Sequence, residues 1–296
     1  MRHPCIGLSG LSINQLKQED RMMKVSRLAI GVCAMLIACF TLPADAWNRS
    51  AATRFATLPA GTAHPEGITA DARHFYVANF DVSGETPVGN IVVFDRSGRW
   101  LRTLQIANGS PLLLGIAFNP VTHDLLVCDL GGKQVLKVDP QTGASSVFAA
   151  IPGGNGGPNA LAFDAEGNVY ISDSFQATIW RAPPGGGVPV AWVNDPLLGT
   201  QGVPPFGANG LAFNRAASAL FVANTGNDTI VRVPLPDGPA GTPGTPEVFV
   251  NSINGADGLV IDDADNLWVA ANQADEIVVV NPGGRVIAKL GDFDGI

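Results

Sequence analysis

Cysteine, tyrosine, methionine and charge are all in short supply in this 296-residue chain. Of its 4 cysteines, Cys5, Cys33 and Cys39 precede residue 47, and Cys128 stands alone inside the apolar run LLVCDL. A single thiol makes no disulfide framework, and one without a basic neighbour is no candidate nucleophile, so Cys128 is expected in the core. Charged residues make up 15% of the chain, and the formal net charge of -8 becomes more acidic once residues 1–46 are set aside. That balance excludes nucleic acid as a partner, since phosphate binding needs a basic surface. Long apolar runs are also missing after residue 46, which excludes a membrane-spanning helix there. What is present is Gly 35 and Pro 22, with short runs of Val, Ile, Phe and Ala between them. Many turns and short β-branched runs predict an all-β protein.

Three segments follow from the N-terminal pattern. Residues 22–46 have the parts of a secretory signal: Lys24 and Arg27, the apolar run Leu28 to Leu42, and Ala44-Asp45-Ala46 before Trp47 as the cleavage site. Cys39 in LIAC offers a lipoprotein site as the alternative, although the apolar run continues beyond it. Residues 1–21 carry no periodicity and read as translation from a start placed too far upstream. The folded domain is then 47–296, and its expected location is the periplasm or the exterior.

Within that domain one pattern recurs. HPEGITADARHFYVANF, LLGIAFNPVTHDLLVCDL, GPNALAFDAEGNVYISDSF, GANGLAFNRAASALFVANTG and GADGLVIDDADNLWVAANQ are each two apolar runs about a small, polar turn. Their anchors, Gly67, Gly115, Ala160, Gly210 and Gly258, fall 45 to 50 residues apart. Each repeat continues with a third and a fourth short strand, as in DTIVRV and EVFV. Four strands per repeat at this period predict propeller blades. RFATLPA, residues 54–60, reads as a lone fourth strand before the first hairpin, and GDFDGI follows a complete fifth repeat. The expected fold is a six-bladed β-propeller whose sixth blade is truncated in this sequence.

The residues just before the anchors are Glu66, Leu114, Asn159, Asn209 and Asp257. Because the first strand of every blade lines the channel, one register of that strand forms a ring. Two carboxylates and two amide oxygens converging there suit a hard divalent cation, most naturally Ca²⁺. Turn capping explains Asn and Asp, but glutamate is a poor turn residue and Glu66 shares the register. Leu114, the apolar member, is expected to contact substrate and to favour less polar acyl or lactone compounds. A second set, Asn79, Asp129, Asp173, Asn224 and Asn272, closes the second strands and reads as turn-bonding Asx residues. No G-x-S-x-G occurs, and among the histidines after residue 46, His74 and His123 fall on the face opposite the ring, while His64 reads as a surface loop residue. The segment 193–208 is the longest insertion on the ring's face and reads as a substrate wall or lid.

The motifs PEGI, GANGLAF and GADGLVID, with the oxygen order Glu, Asn, Asn, Asp, resemble the regucalcin/gluconolactonase family, which includes luciferin-regenerating enzymes. The resemblance implies a six-bladed propeller with a divalent metal in its channel, ligated by Glu66, Asn209 and Asp257, with Asn159 a fourth ligand or a substrate contact. Where sugar-lactonase members carry Arg and Asp around the third-blade Asn, this chain has Gly157 and Ala160. The chemistry expected is hydrolysis of lactones or related esters, with the cation polarising the carbonyl, a metal-activated water attacking it, and Asp257 the candidate general base. The alternative is a non-catalytic exported propeller that binds a protein or small ligand around a structural Ca²⁺.

Overall fold

The computed structural model describes residues 53–62 and 64–291. The signal segment, Cys39 and the upstream extension lie outside them. Five four-stranded antiparallel sheets are present among the described residues, each a meander in chain order: residues 64–106, 113–150, 158–194, 208–250 and 256–291, blades 1 to 5. The turns inside the hairpins are built by short polar side chains. In blade 3, Asp164 accepts from the backbone N–H of Glu166 at 3.1 Å and of Asn168 at 2.8 Å, and Asp262 repeats this in blade 5 with Ala264 and Asn266 at 2.9 Å. An Asx side chain that mimics a backbone turn is why these sites alternate with apolar runs.

The blades bury their faces on one another. Tyr76, Ile91 and Leu104 of blade 1 pack with Leu113, Ile116 and Val127 of blade 2, and Phe221 and Ile230 of blade 4 with Leu259, Val269 and Val278 of blade 5. The inner strands His64–Ala70, Leu113–Phe118, Pro158–Phe163, Ala208–Phe213 and Ala256–Ile261 therefore lie side by side in succession.

The recurring anchor residue is explained by that succession. A Cβ on Gly67 would lie 2.5 Å from the Leu114 carbonyl oxygen, on Gly115 2.5 Å from that of Asn159, and on Gly210 2.5 Å from that of Asp257. Three of the four described blade junctions thus bring the next backbone so near that only glycine fits. Gly258 meets nothing within 4 Å. Gly210→Ala is accordingly expected to destabilise by roughly 1–3 kcal/mol, the usual cost of overpacking, and Gly258→Ala to be nearly neutral. Urea denaturation of the two variants checks this, and equal midpoints would contradict it.

The described residues hold the five full blades expected and no sixth, and one expectation is corrected. Residues 54–60 are not a strand: a strand exists through a partner's N–H and C=O groups, and this segment pairs with none of the five sheets among the described residues. Its side chains find apolar cover instead, Ala56 and Leu58 packing with Val77, Val92 and Phe94, and Phe55 meeting Phe75 edge-on at 5.2 Å.

Candidate metal centre

Every inner strand carries a bulge at one place. Pro65 pairs with Asn79 and Ile68 with Val77, so Glu66 and Gly67 together face one residue, Ala78. The same shift sets Leu114 and Gly115 against Cys128, Asn159 and Ala160 against Ser172, Asn209 and Gly210 against Ala223, and Asp257 and Gly258 against Ala270. A bulge leaves one residue unpaired and re-aims its side chain. In blades 1, 2 and 4 the ring residue and its glycine are therefore the two halves of one device: the first is aimed out of the sheet, and the second lets the neighbouring blade approach.

Glu66, Leu114, Asn159, Asn209 and Asp257 all line a single cavity of about 970 Å³. The amides of Asn159 and Asn209 are buried, and each is held by a hydroxyl relay. Asn159 Nδ2 donates to Ser174 Oγ at 3.0 Å, which donates to the Ala208 carbonyl of the next blade at 2.7 Å. Asn209 Nδ2 donates to Thr225 Oγ1 at 2.9 Å, which donates to the Ala256 carbonyl at 2.8 Å. Among the described residues neither amide oxygen accepts a hydrogen bond, and neither is enclosed, so both open on the cavity. An amide whose nitrogen is engaged from behind presents its oxygen forward.

The two carboxylates complete the set. Glu66 is open to the water of the cavity, yet protein surrounds it, and this desolvation together with the charge of Asp257 raises its pKa from 4.5 to about 8. Cavity water moderates the penalty, and its direction is that of two acids sharing a low-dielectric space. Asp257 is raised from 3.8 to about 6 by burial, against the hydrogen-bonding pull of Asn272 and Asn209. Asn272 Nδ2 donates directly to Asp257 Oδ2. Among the described residues no three His, Cys, Asp or Glu side chains gather to hold an ion. A cation here would rest on two carboxylates and two amide oxygens, and these residues fit one: the donors are all oxygen, two of them are bare, and the acids repel each other without it.

Asn272 is the residue that sequence reasoning set aside. Its counterparts do serve their turns: Asp129 accepts from the N–H of Gly132 at 2.9 Å, Asp173 from Phe175 at 3.0 Å, and Asn224 from Asn227 at 3.1 Å. Asn79 also departs, since its nitrogen bonds the Val77 and Asn90 carbonyls and its oxygen has no partner. An amide is interchangeable with a carboxylate in an Asx turn, so Asn at position 272 gave no signal of its partner. The hydroxyls of Ser174 and Thr225 follow their second strands directly, and that shared place was the signal available.

The remaining candidates fall as follows. Cys128 is fully buried, and desolvation and the nearby Glu66 and Asp129 charges push its thiol well up, so it is inert. His74 is tied to Asp71 at 3.2 Å in the first hairpin turn, and His123 stands in the corresponding turn of blade 2. His64, read as a surface residue, is exposed but begins the inner strand of blade 1 and lines the cavity. Segment 193–208 supplies Pro204 and Phe206 to the cavity and is anchored through Asn224 Nδ2 to the Leu197 and Gly199 carbonyls at 2.9 Å and through Gln273 Nε2 to that of Val203 at 3.1 Å. It forms part of the cavity wall.

Fold and cavity together define a propeller whose inner-strand bulges direct oxygen donors into one channel. The family model of the SMP-30/gluconolactonase/LRE-like region matches residues 205–291, so the resemblance seen in the blade motifs is found over blades 4 and 5. Among solved structures the chain is similar to a gluconolactonase from Xanthomonas campestris, at 16% identity and TM-score 0.60, with 78% of this chain and 77% of that chain covered. It is also similar to regucalcin, a calcium-binding protein from Agrobacterium tumefaciens, at 18% identity and TM-score 0.59 over 81% and 80%. Virginiamycin B lyase from Staphylococcus aureus matches at 12% and TM-score 0.54 over 77% and 84%. At these identities the likeness is one of fold. No curated protein matches the sequence. No helix among the described residues is long and apolar enough to cross a membrane.

Proposed function

We propose that the protein is an exported, metal-dependent hydrolase of lactones or related esters, with the reaction centred where Glu66, Asn159, Asn209 and Asp257 face one cavity. The observation that carries this is the pair of bare amide oxygens opposite two carboxylates, each amide turned by its own hydroxyl relay. These four residues would hold a divalent cation, Ca²⁺ by the hardness of the donors, and the bound ion would supply Lewis acidity at the carbonyl oxygen.

The chain's own residues do the rest. Asp257 is the base for the attacking water, and Asn272 fixes the orientation of its carboxylate through Oδ2. Burial raises its pKa to about 6 without the ion, and a bound cation would lower it again, so the base role rests on its position beside the attacking water. Leu114, 3% exposed, keeps the side of the ring between Glu66 and Asn159 dry, which strengthens the polar interactions beside it.

Calcium titration of the chelator-treated protein, read by both thermal stability and hydrolysis of a lactone and ester panel, tests the reading. Hydrolysis is expected to appear in step with a stability gain of about 2.7 kcal/mol at a hundredfold excess over Kd. Stabilisation with no hydrolysis of any substrate would instead establish a binding propeller, and absence of both would remove the metal centre.

A further inference from the structure

We propose that the cavity takes a neutral substrate with an apolar body, an alkyl- or aryl-substituted lactone or ester and not a polyhydroxylated one, and that Phe206 is its specificity-determining residue. This rests on the hydrolase reading above and names the substrate class.

Among the described residues no lysine or arginine lines the cavity, whose ionisable residues are His64, Glu66 and Asp257. With a divalent cation bound, its charge is matched by the two acids and the lining adds no further positive group for an anionic substrate, whereas a neutral carbonyl compound needs none. The wall outside the oxygen ring carries two aromatic rings. Phe80 and Phe206, both half-buried, pack on the cluster that contains Leu114, and all three line the cavity. A sugar-like body laid there would exchange water for carbon and leave its hydroxyls unpaired, a cost that an alkyl or aryl body does not incur.

Beside Asn159 another aromatic ring takes up space. A Cβ on Gly157 would lie 2.5 Å from the Phe175 ring, so that ring occupies the place where a longer side chain at 157 would project. Phe175 in turn tilts against Phe206, with ring centroids 5.5 Å apart and an interplanar angle of 38°. The backbone of Phe206 is pinned as well, its carbonyl accepting from the Gly226 N–H at 2.8 Å. At this corner the Phe175 ring, 41% exposed, stands where a longer side chain at 157 would project, and it backs the Phe206 ring that lines the cavity.

The test uses the full chain with Ca²⁺, γ-lactones whose side chain grows one methylene at a time, glucono-δ-lactone for comparison, and the matching γ-lactams as ligands that are not turned over. kcat/KM is expected to rise about fourfold for each of the first few methylenes, the transfer gain for a buried CH₂, with gluconolactone the poorest substrate. Phe206→Ala should flatten the series and Phe206→Leu should keep most of it, while the unsubstituted lactone is affected little by either. A flat or falling series in the wild-type protein, or a preference for gluconolactone, overturns the proposal and leaves the hydrolase reading standing. If nothing is hydrolysed, lactam affinities by calorimetry give the same slope: a rise supports the apolar site without the enzyme, and a flat series overturns it.

Discussion

Asp257→Asn is expected to weaken Ca²⁺ binding and, at saturating Ca²⁺, to leave hydrolysis lowered by about 10²–10⁴-fold, the usual contribution of a positioned general base. The substitution keeps an oxygen at the ring and removes its charge, so binding falls without the site being lost. The two effects separate because saturation restores occupancy but not the base. The partner in this argument is Asn272, whose amide donates to Asp257 Oδ2 and would face a second amide in the variant. Asn272→Ala should therefore disturb activity less than Asp257→Asn and should lower KM-independent turnover through loss of orientation alone. Full turnover by Asp257→Asn at saturating Ca²⁺ would eliminate the base role and leave Asp257 a ligand only.

The second large effect is in the pH dependence of stability. Glu66 and Asp257 bind protons more tightly folded than unfolded, with pKa values raised from 4.5 to about 8 and from 3.8 to about 6. The folded state then holds more protons than the unfolded one between about pH 4 and pH 8, so in chelator stability falls as pH climbs through that window. Asp71 and Asp262 act in the opposite sense. Their hydrogen bonds to turn N–H and ring groups depress both to about 2, so their stabilisation is present above the usual carboxylate range and is lost as pH drops toward 2. Stability without metal should peak near the crossing of the two, around pH 4 to 5. Ca²⁺ reverses the upper limb, because the ion needs both acids ionised and its binding is then strongest at pH 8. Melting temperatures measured against pH with chelator and with Ca²⁺ should diverge upward from pH 5. Parallel curves, or a Glu66→Gln variant whose chelator curve is as steep as the wild type's, would show that the pair is not coupled in this way.

The blades were legible in the sequence because each strand repeats a local pattern, apolar residues between Gly and Asx turns, and a local pattern survives without knowledge of what lies opposite. The ring register was legible for the same reason, since Glu66, Asn159, Asn209 and Asp257 hold one place relative to a recurring glycine. The lone strand at residues 54–60 failed because a strand is a relation between two segments, and its apolar alternation served packing on Phe75 and Val92 equally well.

What only the tertiary structure decided is everything that needs two blades at once. The bulge that turns Glu66 or Asn209 out of its strand exists as a mismatch of register between neighbours. The relay from Asn209 through Thr225 ends on a carbonyl of the following blade, and Asn272 finds Asp257 across a hairpin whose sequence matches those of its turn-capping counterparts. Phe175 fills the corner at Gly157 and steadies Phe206 from another loop. Composition and period determine which backbone forms, because they act along the chain; the orientation of an amide, the pKa of a carboxylate and the wall facing a ligand are set by atoms brought near through space, and those neighbours are assigned only when the sheets stack.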